Sequence, residues 1–183
     1  MRRLTGALNG APVTHVLSNG RYAVMLTATG AGYSRWRDMA VTRWRDDTTR
    51  DDWGSFIFLR DAQKGAVWRV GARPAGPAPD HHEVIFSEDH AEFVRRDGTL
   101  TTTTNVLISS EDDGEVRRES VTNGGRRPRE IEITSCAEVV LTSPAADTAH
   151  PAFTKLLVQA EYLAEFGVLV ATRRPRSRDE PRV

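Results

Sequence analysis

Along most of the chain, apolar and polar residues alternate in short runs separated by Gly, Asn, Asp and Pro. A period of two puts one set of side chains on each face of an extended strand, so the pattern predicts β-structure. His15–Ser18 and Arg21–Thr27 flank Asn19-Gly20. That dipeptide is the strongest short-range hairpin signal, because both residues of its turn need positive φ. Ser55–Arg60 predicts a strand, Asp61–Gly65 a turn and Ala66–Val70 the return strand. Glu83–Ser87, Ala91–Arg95, Leu100–Ser109, Glu115–Asn123 and Ile131–Thr142 follow as strands, with Asp97-Gly98 and Glu111–Gly114 as turns. Thr99–Thr104 should turn alternate threonines to solvent. Arg129–Val139 alternates as a half-solvated antiparallel strand does.

Three stretches break the pattern. Gly30-Ala31-Gly32 interrupts it early. Gly71–Asp80 (GARPAGPAPD) cannot be a central strand, since its prolines remove donors and fix φ. Arg173–Val183 is charged and proline-bearing, which predicts a linker or frayed tail after a domain over 1–172. No window predicts a long amphipathic helix. Gln159–Phe166 is the best helical candidate, but Leu156–Gln159 and Val168–Thr172 flank it with strand-like runs, so a hairpin competes. Many short strands with regular turn punctuation indicate an all-β, antiparallel sandwich.

The length of 183 residues suits one such domain. Lys plus Arg and Asp plus Glu balance at 25 each, which argues against a nucleic-acid partner. No run is long and apolar enough for a membrane helix, and the N-terminus lacks a signal-peptide core. A cytoplasmic location without direct membrane insertion is the expectation. The single cysteine, Cys136, excludes an internal disulfide, and its apolar surroundings predict a buried, inert thiol.

Phosphate loops, Cys-x-x-Cys pairs, His-Glu-x-x-His and Gly-x-Ser-x-Gly are all missing from the sequence, so no catalytic residue, metal or cofactor is assigned. His81, His82 and His90 are close in sequence, but their spacing matches no metal pattern, and exposed loop histidines are expected. The densest chemistry lies in Gly30–Phe58, which gathers Tyr33, three tryptophans, five arginines and five aspartates. Aromatic faces stack on the C–H faces of sugars, and Asp and Arg offer forked hydrogen bonds to hydroxyls. Candidate contacts to carbohydrate or a neighbouring domain are Tyr33, Arg35, Trp36, Asp38, Arg43, Trp44, Arg45, Asp52 and Trp53. Trp53, in an acidic turn, is expected to face solvent, while alternation leaves the side taken by Trp44 open. A competing reading has the indoles in the core and the Arg–Asp pairs satisfying one another.

The stretch LSNGRYAVMLTATGAGYSRWRDMAVTRWRDDTTRDDWGSFIFLRD resembles the start of the phosphorylase-like region of cyclic β-1,2-glucan synthases. That region is similar to the cellobiose and chitobiose phosphorylases of glycoside hydrolase family 94, formerly glycosyltransferase family 36. EVIFSEDHAEFVRRDG, EDDGEVRRESVTN, EITSCAEVVLTSPAADTAHPAF and ATRRPRSRDE continue the resemblance from about Val13 to Glu180. It implies a galactose-mutarotase-like supersandwich, shorter here than the family's own. It also implies a following (α/α)6 barrel that holds the catalytic acid and the phosphate site. The partners it implies are a β-glucan oligosaccharide, that barrel and a second subunit. The expected role is a non-catalytic accessory domain whose Gly30–Phe58 loops touch ligand or barrel. Two alternatives stay open. One is a mutarotase-like enzyme using His90 with Glu88 and Asp89, or His150 with Asp147. The other is an inactive remnant.

Overall fold

The computed structural model describes residues 1–5, 13–45, 53–71, 77–177 and 183. The fold is all-β and antiparallel. Fifteen strands and two short helices are described: β1 (Arg2–Thr5), β2 (Thr14–Ser18), β3 (Tyr22–Thr27), β4 (Gly32–Trp36), β5 (Met39–Thr42), β6 (Ser55–Asp61), β7 (Val67–Arg69), β8 (His81–Phe86), β9 (His90–Asp97), β10 (Leu100–Ile108), β11 (Glu115–Asn123), β12 (Ile131–Ala137), β13 (Val139–Thr142), α1 (Pro144–Ala149), α2 (Pro151–Leu157), β14 (Val158–Leu163) and β15 (Val168–Arg173). They form one sheet in the order β1-β8-β9-β10-β11 and a second in the order β13-β5-β4-β3-β2. A three-stranded sheet, β12-β6-β7, and the hairpin β14-β15 complete the described part.

The core lies where the first three sheets meet, and period-two alternation builds it. Tyr22, Val24 and Leu26 come from β3; Val84 and Phe86 from β8; Ala91 and Phe93 from β9; Leu59 and Trp68 from β6 and β7. Each such large side chain contributes roughly 1.5–3 kcal/mol on burial. Buried charge sits beside them, as at Arg95. Arg95 is fully buried, and its guanidinium makes two bonds to Asp97 (2.7 and 2.9 Å) and others to the Arg69 and Pro77 carbonyls.

Several expectations change. Gly30–Phe58 is not a run of loops, because β4 and β5 lie within it. Ile131–Thr142 is two strands, since the chain passes from one sheet to another at Glu138. Leu141 adopts φ +52° at a register shift in β13. The β2–β3 hairpin is offset by one residue from the Asn-Gly expectation. Asn19 N donates to Tyr22 O, and Gly20 at φ +90° takes the first central position. Asn19 does other work: its side chain accepts from Arg21 N and Tyr22 N and donates to the Ser109 and Asp112 carbonyls. His81, His82 and His90 lie on strands instead of loops, with His82 buried and His81 on the opposite face of β8. Gln159–Phe166 is hairpin, not helix, and turns at Gly167 with φ +63°.

Pro144–Leu157 folds into short helices that the alternation gave no sign of. Ser143 caps α1 by accepting from Ala146 N, and each helix opens with proline, whose missing N–H costs nothing there. Arg173, the first residue of the expected tail, closes β15 and is buried. The expected half-buried face on β12 is not formed. It is an edge strand, Ile133 is 57% exposed, and Cys136 is exposed, not buried. Among the described residues no helix is long and apolar enough to cross a membrane.

Candidate functional site

The aromatic and charged residues of Gly30–Phe58 are sorted by the pleat of β4. Trp36 and Ser34 share the face of Tyr22 and Val24, their partners in β3. That is the core side, against which Trp36 packs. Tyr33 and Arg35 take the other face, opposite Met25 and Ala23. Arg35 lies across from Ala40, so alternation along β5 carries the same face to Thr42 and on to Trp44. The side of Trp44 is thereby fixed. Its ring meets that of Tyr33 at 5.7 Å between centroids, tilted by 56°.

Trp53 reaches this neighbourhood through a close backbone approach. Gly32 N donates to Trp53 O at 2.9 Å. A Cβ on Gly32 would lie 1.9 Å from Met25 O, and one on Gly54, whose φ is +125°, would lie 2.6 Å from Gly32 O. Gly54 therefore permits the docking, while Gly32 lets β4 lie close against β3. Arg45 then ties the group together. Its guanidinium sits 5.9 Å from the Trp53 ring centre and donates to Trp44 O. Tyr33, Trp44 and Trp53 are all half-buried. The Trp53 indole nitrogen is sealed and has no hydrogen-bond partner among the described residues, so the ring is not the open platform expected of it.

Behind the aromatics lies an ion-pair knot. Arg43 donates to both Asp147 oxygens, with Nη2 at 2.6 Å, and reaches Glu138 at 2.5 Å and the Pro151 carbonyl at 3.2 Å. Arg45 contacts Asp147 Oδ2 at 2.8 Å, and Lys155 contacts Glu138 at 2.6 Å. Burial alone would raise the Asp147 carboxyl, but Arg43 and Arg45 outweigh it and hold the group below its usual range. Asp147 lies in α1, which is why the residues around Gly30–Phe58 could not reveal the anchor.

The remaining candidates separate from this cluster. Trp36 donates to Asp113 Oδ2 at 2.5 Å and lies 4.9 Å beneath the Arg37 guanidinium. Arg21 joins Asp113 from the other side at 2.6 Å and, with Trp36, lowers its carboxyl. Arg35 and Asp38 pair with each other at 2.9 Å on the exposed β4–β5 turn, a surface contact worth little. Asp52 lies outside the described residues. The acid–base pairings considered from sequence do not converge in a cleft. His90 meets Asp89 at 2.8 Å beside an exposed turn. His150 is exposed between α1 and α2, while Asp147 is taken by arginines. Among the described residues no three His, Cys, Asp or Glu side chains gather as metal ligands.

A concave feature elsewhere was not singled out from sequence. A cleft of about 370 Å³, mouth included, opens between β6 and β11. Glu119 and Arg117 line it with Arg69, Thr104, Phe56 and Phe93. The available signal was the order EVRRESV in β11, where alternation puts Glu115, Arg117 and Glu119 on one face with Val121. The β10 register places that face beside Val106 and Thr104.

With this geometry in hand, the comparisons are specific. The family model described as "Glycosyl hydrolase 94, supersandwich domain" matches residues 1–183. A cyclic beta-(1,2)-glucan synthase, NdvB, of Rhizobium meliloti (strain 1021) is 41% identical over 181 residues, which is 99% of this chain and 6% of that protein. An N,N'-diacetylchitobiose phosphorylase of Vibrio furnissii is 24% identical over 157 residues, 83% of this chain and 20% of that enzyme. A solabiose phosphorylase of Paenibacillus borealis is 25% identical over 123 residues, 67% of this chain and 16% of that enzyme. The chain thus spans at most one fifth of these relatives.

Proposed function

The chain belongs to the glycosyl hydrolase 94 supersandwich domain family, and from that premise we propose that it is a non-catalytic, carbohydrate-associated sandwich serving a protein that acts on β-glucans. The observation that carries this reading is the meeting of Tyr33, Trp44, Trp53 and Arg45 at one place, fixed from behind by Asp147. Aromatic rings and a guanidinium held in place suit a sugar's C–H face and hydroxyls with a reduced ordering cost at binding. The carboxylates beside them support a role without catalysis. Asp147 is held ionised by two arginines and so is not poised to take a proton near neutrality, and Glu138 is already engaged by Arg43 and Lys155.

The ligand in this proposal is a β-glucan oligosaccharide. The same surface, or its rim at Arg35 and Asp38, would face an (α/α)6 barrel of the parent protein, and a homodimer is part of the same reading. The name of the glucan synthase relative favours β-1,2 linkages as the first to test. Titrating the purified chain with β-1,2-glucan oligosaccharides should quench or shift tryptophan fluorescence, and Trp44→Ala should remove the response while the protein stays folded. A wild-type chain blind to these glucans would sink the ligand half of the proposal. Glucan turnover by the chain that vanishes with one of its own point mutations would sink the non-catalytic half.

A further inference from the structure

We propose that the apolar face of the β14–β15 hairpin is the contact by which two copies of this chain pair, one hairpin laid across the other about a two-fold axis, tip over root. This names a surface for the homodimer included in the function proposed above and rests on that part of it. The sugar surface around Trp44 takes no part.

The hairpin is costly as it stands, because a two-stranded ribbon is marginally stable in water until a face is covered. β14 and β15 pair from Val158↔Arg173 to Leu163↔Val168 and, among the described residues, bond to no further strand. Alternation divides their residues between two faces. One face mixes Gln159, Glu161 and Thr172 with apolar side chains. The other carries Val158, Ala160 and Tyr162 from β14 against Arg173, Ala171 and Leu169 from β15. Arg173 is buried at the root, and the rest of that face is apolar or aromatic. A sheet face of this composition is one that packing covers. Yet Tyr162 is 62% exposed, its cross-strand partner Leu169 76%, and Phe166 in the turn 68%. Half of the large apolar side chains exposed among the described residues fall within 153–170. Apolar surface gathered in one place marks an interaction site.

Shape, charge and area choose a second copy as the occupant. On the apolar face the bulky Tyr162–Leu169 pair stands beside the small Ala160–Ala171 pair, about 7 Å along the strands. A ridge is thus followed by a hollow. A copy turned end for end sets its ridge in this hollow and offers its own hollow to this ridge. A surface that fits itself about a two-fold axis closes at two copies. Charge fixes the same direction. Glu165 lies exposed in the turn at the tip, and Arg174 and Arg176 lie exposed just beyond the root. Stacking end for end brings each tip carboxylate over the other copy's basic root, twice in the dimer, whereas stacking in the same direction would oppose like charges.

The area sets the strength. At roughly 200 Å² for each large side chain, the exposed fractions of Tyr162, Phe166 and Leu169 amount to about 400 Å² per copy. With the alanines and backbone between them, two copies would bury on the order of 1,000 Å², the lower limit for a specific interface. A reversible dimer of micromolar affinity is the fitting outcome, not an obligate one.

The test is sedimentation equilibrium of the whole chain from about 1 µM to about 500 µM, a span that brackets such an affinity. Wild type should pass from monomer to dimer and stop there. Leu169→Glu puts a charge on the ridge and should weaken the dimer at least about tenfold. Leu169 is mostly solvent-exposed, so the melting temperature should hold and show that the variant is folded. Glu165→Arg changes only the exposed turn and should weaken the dimer about fivefold, since two rim pairs become repulsive at once. Adding Arg174→Glu to it should restore the wild-type affinity. A dimer that persists in folded Leu169→Glu would overturn the hairpin contact while leaving a homodimer through another surface. Failure of the charge swap to rescue would overturn the tip-over-root arrangement, and growth beyond two copies would overturn the two-fold. A wild type that stays monomeric throughout would overturn both this contact and the homodimer of the proposed function; the glucan titration of Trp44→Ala tests the ligand half separately.

Discussion

Arg43 and Asp147 stand 104 residues apart in sequence, yet their side chains meet at 2.6 Å and are only 4% and 3% exposed. The pair binds the end of β5 to α1, and through Arg45 it sets the position of the aromatic surface. Breaking such a pair from one side leaves a buried charge without compensation. Asp147→Ala should therefore cost about 3 kcal/mol, the low end for a broken buried pair because Glu138 still holds Arg43. The melting temperature should fall by roughly 6–12 °C, at about 2–4 °C per kcal/mol for a chain of this size. Asp147→Asn, which retains an acceptor, should lose less. Unchanged melting in Asp147→Ala would show that the knot is not structural.

Stability should decline in two stages on acidification. Burial, then the charge of Arg95, holds the His82 imidazole below its usual range, and burial lowers His15 too. The unfolded chain then binds more protons than the folded one, so stability falls as pH drops below about 6.5. Asp147 is lowered by its arginines, with burial opposing them, and Asp61 chiefly by Arg129. Their contribution is fully present above the ordinary carboxylate range near pH 4 and is lost below it. Glu119 runs the other way, because its raised pKa favours the folded state at low pH. Urea midpoints across pH 3–8 should show both stages. His82→Gln should flatten the first and Asp147→Asn the second. A midpoint that climbs steadily toward acid pH would contradict the sign of both.

How far the sequence speaks depends on what each strand packs against. β8 and β9 alternate over a covered face, so their patterns translate directly into position. β12 alternates equally well, yet it is an edge strand with Ile133 and Cys136 in solvent. Alternation reports a strand's two faces, not whether anything covers them. β4 and β5 were hidden because Tyr33, Arg35 and Trp36 suggest ligand chemistry more strongly than they suggest a strand. The site was half legible: Tyr33, Trp44, Arg45 and Trp53 are brought together, while Trp36 is sent to the other face. Asp147 was read only as a partner for His150, and Glu119 was not singled out, because their actual contacts depend on long-range pairing.

The exposed Cys136 makes a direct test of that lesson. In the native protein it should react with a soluble thiol reagent to one equivalent, quickly and without denaturant. Labelling that waits for urea would mean that the β12 face is covered in solution, as a second copy pairing along this edge would do.

The three indoles of the Gly30–Phe58 region should respond to truncation in different ways. None is fully buried, so each alanine variant should lose less than the 3–5 kcal/mol of a core aromatic. Trp36 combines contact with the core and a hydrogen bond to Asp113, so Trp36→Ala should destabilise more than Trp44→Ala. Trp36→Phe, which keeps the ring but not the N–H, should loosen the 109–113 loop and leave glucan binding intact. Trp44→Ala removes the ring that meets Tyr33, and should abolish binding with little change in melting. Trp53→Ala should do both in part, because its nitrogen is sealed while its ring lies under Arg45. Melting curves and glucan titrations on the four variants read these effects separately. If Trp44→Ala binds as wild type while Trp36→Phe does not, the sugar-facing side has been assigned to the wrong face of β4.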